Sequence, residues 1–103
     1  MSLTAVHMKR YRAVILNLLE ANHRAQKSRM DHIMLGLAMR GLGCGVGEYD
    51  VLTLLQDLCD RGYVRYDEKK NRLTNDTEIS RIEITAAGRD VLEETRKDEA
   101  VGL

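Results

Sequence analysis

Four alternating glycines, Gly41, Gly43, Gly45 and Gly47, stand directly before two acids, Glu48 and Asp50. Backbone N–H groups in a glycine-rich turn ahead of a helix can cradle a phosphate. Here no predicted strand precedes the loop, the spacing is not GxGxxG, and no Lys-Ser/Thr pair follows. The two carboxylates would stand where the phosphate belongs, whereas they suit the positive end of a helix beginning at Glu48. The loop therefore reads as a turn. Metal chemistry finds no better footing. Cys44 and Cys59 form no CxxC pair, and His7, His23 and His32 do not complete a zinc-ligand spacing. The cysteines read as reduced thiols, and no metal or cofactor is expected. His23 and His32 are not spaced i, i+4 on one helical face, and Cys44 has no histidine near it in sequence. Without a nucleophile–base pair, an enzyme is not expected. His7 and His23 read as surface residues, and His32 as a helix-face residue beside the core.

The chain that must position any site has 103 residues, enough for one domain with little surplus core. Its composition, 44% hydrophobic and 31% charged, is that of a globular protein. Sixteen basic and sixteen acidic residues cancel, so net charge alone points to neither nucleic acid nor membrane. No apolar run approaches the roughly 18 residues of a membrane span, and the N-terminus lacks a signal-peptide core. A soluble, cytoplasmic protein with no membrane partner is expected. Phe, Trp and Pro are absent, so Leu, Ile, Val, Met and four tyrosines must build the core.

Periodicity divides the chain into three helices, a hairpin and a last helix. Tyr11, Val14, Ile15, Leu18 and Leu19 follow the i, i+3, i+4, i+7, i+8 series of an amphipathic helix over 4–21, with Thr4 as its cap and Asn22 as its stop. Ser28, with Asp31 three residues on, predicts the start of a second helix whose buried face is Met30, Ile33, Met34, Leu37 and Ala38, ending at Gly41. A third helix over 48–61 buries Val51, Leu54, Leu55 and Leu58 and turns Tyr49, Thr53, Gln56 and Asp60 outward, with Gly62 as its stop. The period then changes to two at Tyr63–Asp67 and again at Arg81–Ile84, which predicts a β-hairpin with a polar loop over 68–77. Thr85 caps a final helix over 86–97, whose firm apolar anchors are Val91 and Leu92. Residues 4–97 read as a single domain, 1–3 as a disordered or cloning-derived start, and 98–103 as a frayed tail.

This order resembles a winged-helix (winged helix-turn-helix) domain of the prokaryotic transcription-regulator type. Two stretches carry the resemblance: Leu54-Leu55-Gln56-Asp57-Leu58-Cys59-Asp60-Arg61-Gly62-Tyr63-Val64, and Ile84-Thr85-Ala86-Ala87-Gly88-Arg89-Asp90-Val91-Leu92. The first is similar to the end of the second helix-turn-helix helix passing into the first wing strand. The second is similar to the segment leading from the last wing strand into the final helix. Small winged-helix proteins of Mu-like phages and prophages are also similar. The resemblance spans about residues 8–95 and implies an α+β, mainly α fold: a three-helix bundle, a hairpin wing and a C-terminal helix. It implies a DNA-binding function, with Tyr49, Thr53 and Gln56 facing base edges, where Gln can pair with adenine and Thr can meet a thymine methyl. Lys69, Lys70 and Arg72 become phosphate contacts of the wing. Arg24, Lys27 and Arg29, read as lying near the start of helix two, become contacts to the DNA backbone.

The sequence departs from that pattern in its charge. Helix-three residues Glu48, Asp50, Asp57 and Asp60 stand against Arg61 alone, so 46–64 carry −3 while 1–45, with seven basic and two acidic residues, carry +5. DNA affinity comes largely from neutralised phosphates, and an acidic reading helix opposes it. The reading reached is a transcriptional regulator binding double-stranded DNA as a homodimer, with Met8, Tyr11, Val91 and Leu92 as the dimer surface because helix four has so thin an apolar face. The alternative is a winged helix used for protein–protein assembly, without nucleic acid, docking through the acidic third helix.

Overall fold

The computed structural model describes residues 5–93. Four helices, α1 (Ala5–Arg24), α2 (His32–Gly41), α3 (Glu48–Asp60) and α4 (Ala86–Leu92), surround one antiparallel hairpin of β1 (Val64–Lys70) and β2 (Thr77–Ile84). The architecture is mainly helical α+β. The Thr4 cap, the extension of α4 to Lys97 and both chain ends lie outside the described residues. Among the described residues, no helix is long and apolar enough to cross a membrane.

The core is aliphatic. Ile15 and Leu16 of α1, Leu35 and Met39 of α2, and Val51, Leu54, Leu55 and Leu58 of α3 are fully buried. Val64, Ile79, Ile82 and Ile84 of the hairpin close it from one side, and Val91 of α4 from another. The inward face expected for α3 is therefore the one observed, and Tyr49, Thr53, Gln56 and Asp60 are exposed on its far side.

Helix ends explain several differences from the sequence reading. α1 runs past Asn22 to Arg24 and turns at Gln26 (φ 55°), where Lys27 N–H reaches the Asn22 carbonyl at 3.2 Å. α2 begins later than expected. Its cap is Asp31, not Ser28, with the carboxylate accepting from Met34 N–H at 2.8 Å. Met30 consequently lies outside the helix and forms a bridge with Ile82 of β2. The helix includes Gly41 and turns at Gly43 (φ 87°) instead. α3 ends as expected at Gly62, whose φ of 81° lets Tyr63 N–H bond the Leu58 carbonyl at 3.0 Å.

The largest correction concerns α2. Ile33, Met34 and Leu37, expected inside, are 46%, 49% and 60% exposed, while His32, Leu35, Gly36 and Met39 are buried. His32 is thus a core residue, not one beside the core. The hairpin also differs. Its strands continue to Lys70 and resume at Thr77, so the loop is 71–76 rather than 68–77, and Lys69 and Lys70 belong to β1. The pairing slips between Arg65/Glu83 and Asp67/Ser80, where β2 carries an extra residue and Arg81 takes φ 53°. That bulge lets Ile79 and Ile82, three apart, both face the core.

Candidate nucleic-acid interface

α3 presents Tyr49, Thr53 and Gln56 on one exposed face, one helical turn apart. Tyr49 is 80% exposed. Thr53 Oγ1 donates to the Tyr49 carbonyl at 3.0 Å, which leaves its methyl and the hydroxyl lone pairs for a ligand.

The acids of α3 are the feature that charge counting misjudges. Asp57 is paired with Arg12 of α1 and, at 3.2 Å, with Arg61. The Arg12 side chain is only 11% exposed, so this is a largely enclosed ion pair that ties α1 to α3. Asp50 accepts from Gly47 N–H at 3.0 Å and caps the helix from its first turn. Glu48 accepts a hydrogen bond from His32 Nε2 at 2.8 Å. Of the four acids, only Asp60 is an exposed carboxylate without an ion-pair or hydrogen-bond partner among the described residues. Nearby, burial first, and then Cys59, Glu68 and Asp60, push the Tyr66 phenol up to about 12, which keeps it neutral.

The hairpin carries the candidate phosphate contacts. Lys69 and Lys70 at the end of β1, and Arg72 in the loop, are exposed and have no ion-pair partner among the described residues. The loop itself is braced: Asn71 Oδ1 accepts from Leu73 N–H at 2.9 Å, and Asn75 (φ 62°) closes the turn back to the Asn71 carbonyl at 2.7 Å. Leu73 is 97% exposed at the tip.

The nine expected DNA contacts do not gather into one cluster. Arg24 ends α1 and pairs with Glu20 at 3.4 Å. Lys27 is exposed in the connecting turn. Arg29 pairs with Glu83, which Arg65 also holds at 2.7 Å. All three precede α2 instead of opening it, because the helix starts at His32. Arg29 sits at the Arg65 level of the hairpin, about 13 Å along the strand from Lys69 at ~3.3 Å per residue. The hydrogen bond from Arg65, then the charge of Arg29, hold the Glu83 carboxyl below its usual range, so Arg29 and Arg65 are partly spent within the chain.

The expected dimer residues lie mostly inward. Val91 is completely buried, and Met8, Tyr11 and Leu92 pack half-buried against the same core. The Tyr11 hydroxyl accepts from Gly45 N–H at 3.3 Å. α4 is anchored within its own chain: Thr85 Oγ1 caps it, accepting from Gly88 N–H at 3.2 Å, and Arg89 pairs with Glu20 at 2.8 Å.

Two features escaped sequence reasoning. Arg12 and Asp57 are 45 positions apart, and no local spacing signals their meeting. His32 is 4% exposed with both ring nitrogens bonded. Burial pushes the Cys44 thiol up against the opposing pull of Arg10, so its reactive thiolate is disfavoured. Among the described residues, no group of three His, Cys, Asp or Glu side chains could hold a metal ion. No family model, no curated protein and no solved structure matches the chain.

Proposed function

We propose that the chain is a winged-helix protein that binds double-stranded DNA as a regulator of transcription, with α3 in the major groove and the β1–β2 hairpin as the wing on the phosphate backbone. The observation that carries this reading is the pairing of Asp57 with Arg12 of α1 as well as with Arg61, which offsets part of the like-charge penalty that a helix of net −3 would present to DNA. Outward on α3, beside the exposed acids Glu48 and Asp60, stand Tyr49, Thr53 and Gln56, side chains able to meet base edges. Lys69, Lys70 and Arg72 supply the cations that such a contact requires. The bridge from Met30 to Ile82, which adds a short third segment to the hairpin, also supports a winged layout.

Fluorescence anisotropy of a labelled random duplex, titrated over a salt series, tests this. Affinity is expected to fall log-linearly with salt. Replacing Lys69, Lys70 and Arg72 together by Glu is expected to lower affinity on the order of 100-fold at low salt. It should also flatten the salt slope by about 3, since each lost phosphate contact contributes ~0.9. Binding that the triple variant leaves intact would remove the hairpin from the proposal.

A second reading, assembly with another protein and no nucleic acid, is favoured by the exposed apolar stripe Ile33, Met34 and Leu37 on α2. It moves the docking surface from the acidic third helix, where the sequence reading had it, to α2. An anisotropy titration flat at low salt would favour this second reading over the first.

A further inference from the structure

We propose that His32 is a proton-sensitive positioning residue that sets the hairpin against the start of α3. The imidazole opens α2 and is almost fully enclosed, yet it bonds two other elements at once. Ile79 N–H of β2 donates to Nδ1 at 3.1 Å, and Nε2 lies 2.8 Å from Glu48 Oε1 at the first residue of α3. The two bonds fix the tautomer. Nδ1 must hold its lone pair to accept from Ile79, so the neutral ring carries its proton on Nε2 and donates to Glu48.

The bond at Nδ1 lies on the outer edge of the hairpin. β2 pairs with β1 on one side, and its other edge is held by α2 and the residues just before it: Ile82 N–H donates to the Met30 carbonyl at 3.1 Å, and Ile79 N–H to His32. These two bonds, three residues apart, dock the hairpin on the helical body. Protonation of His32 places a hydrogen on Nδ1, which can no longer accept. The Ile79 carbonyl, 3.4 Å from the same nitrogen, is then the available acceptor. The imidazolium exchanges the N–H of Ile79 for its C=O, so the strand edge must slide along the ring. On the other side, the Nε2–Glu48 hydrogen bond becomes an ion pair and holds α3 more firmly. One proton therefore shifts the hairpin relative to α3.

The charges facing the ring come from each element around it. Asp31 of the α2 cap, Glu48 of α3, and Lys69, Asp76 and Glu78 of the hairpin line the cleft onto which His32 borders. Imidazole is the side-chain type that ordinarily changes charge between about pH 5 and 8.

Long-range 1H–15N correlation spectra of the uniformly labelled full chain, recorded from pH 8 to pH 5, test the proposal without any ligand. At pH 8 the His32 ring is expected in the Nε2–H form. The Ile79 amide proton is expected to move along the same titration curve as the His32 ring nitrogens. Glu48→Gln, which keeps an acceptor and removes the charge, should move both curves together to lower pH. An Nδ1–H tautomer at pH 8, a ring that does not titrate over the range, or an Ile79 amide indifferent to the ring would each overturn it. The consequence for DNA rests on the proposed function: affinity should change between pH 8 and pH 6 in the native chain, and that change should vanish in His32→Asn. Absence of DNA binding at any pH would remove that function while leaving the coupled titration intact.

Discussion

Gly88→Ala is expected to destabilise the chain by about 3 kcal/mol, at the upper end of what overpacking costs. A Cβ at this position would lie 2.4 Å from the Tyr63 carbonyl oxygen and 2.7 Å from Ile84 Cγ1. The first obstacle is backbone and cannot rotate away. It is also held in place. Thr85 N–H bonds that same Tyr63 carbonyl at 3.0 Å, and Thr85 Oγ1 donates to the Gly62 carbonyl at 2.6 Å. The start of α4 is thereby clamped onto the end of α3 and the base of the hairpin, and Gly88 rides directly on the clamp. Relief would require α4 to lift, withdrawing Val91 from the core. Thermal denaturation followed by circular dichroism should show a midpoint lower by roughly 12–24 °C, at the ~4–8 °C per kcal/mol usual for a domain of this size. Gly45→Ala, at a position where nothing lies within 4 Å of the added carbon, should change it by no more than a few degrees. Equal effects of the two substitutions would contradict the clamp.

Asp57→Ala is expected to cost about 2 kcal/mol, and Arg12→Met much less. The asymmetry follows from where each charge sits. Arg12 is the more enclosed partner, 11% exposed against 30% for Asp57, so deleting the carboxylate takes a counter-charge away from an enclosed guanidinium. Removing Arg12 instead substitutes an apolar chain of similar length for a buried cation, and Asp57 keeps Arg61 at 3.2 Å. Chemical denaturation of both variants and of the double variant measures the coupling. The pair has a functional consequence under the proposed reading. Arg12→Met returns part of the Asp57 charge to α3 and should weaken DNA binding although the fold survives. A variant as tightly bound as the native chain would separate the ion pair from the interface.

The structure also indicates what local pattern can and cannot reveal. The inward face of α3 was legible because Val51, Leu54, Leu55 and Leu58 have no rival stripe on that helix. α2 has two. Met30, Ile33, Met34 and Leu37 repeat at i, i+3, i+4, i+7, and so do His32, Leu35, Gly36 and Met39. The first stripe is wholly apolar, yet the second is buried, because Asp31 caps the helix and leaves Met30 to bond the edge of β2. Periodicity gives the angle between residues but not which side meets the body. From sequence the distal half of the hairpin reads as loop for a related reason. Lys69 and Lys70 lie beyond the core, where both faces of the strand meet water and no alternation develops.

The two family-like stretches owe their pattern to local geometry. Gly62, Thr85 and Gly88 each perform a local task, a left-handed turn, a cap and a close approach, and local tasks leave a local signature. The candidate interface is different in kind. Tyr49, Thr53 and Gln56 can be placed outward from spacing alone, but the pairing of Asp57 depends on Arg12, on another helix. A count of charges along α3 alone misses that counter-charge.

The most direct test of the account is an amide chemical-shift footprint: the 15N-labelled chain titrated with an unlabelled duplex at low salt. Amides around Tyr49, Thr53 and Gln56 on α3 and around Lys69, Lys70 and Arg72 on the hairpin are expected to shift together, with a common dissociation constant. Shifts confined to Ile33, Met34 and Leu37 on α2, or a spectrum that DNA leaves unchanged, would contradict it.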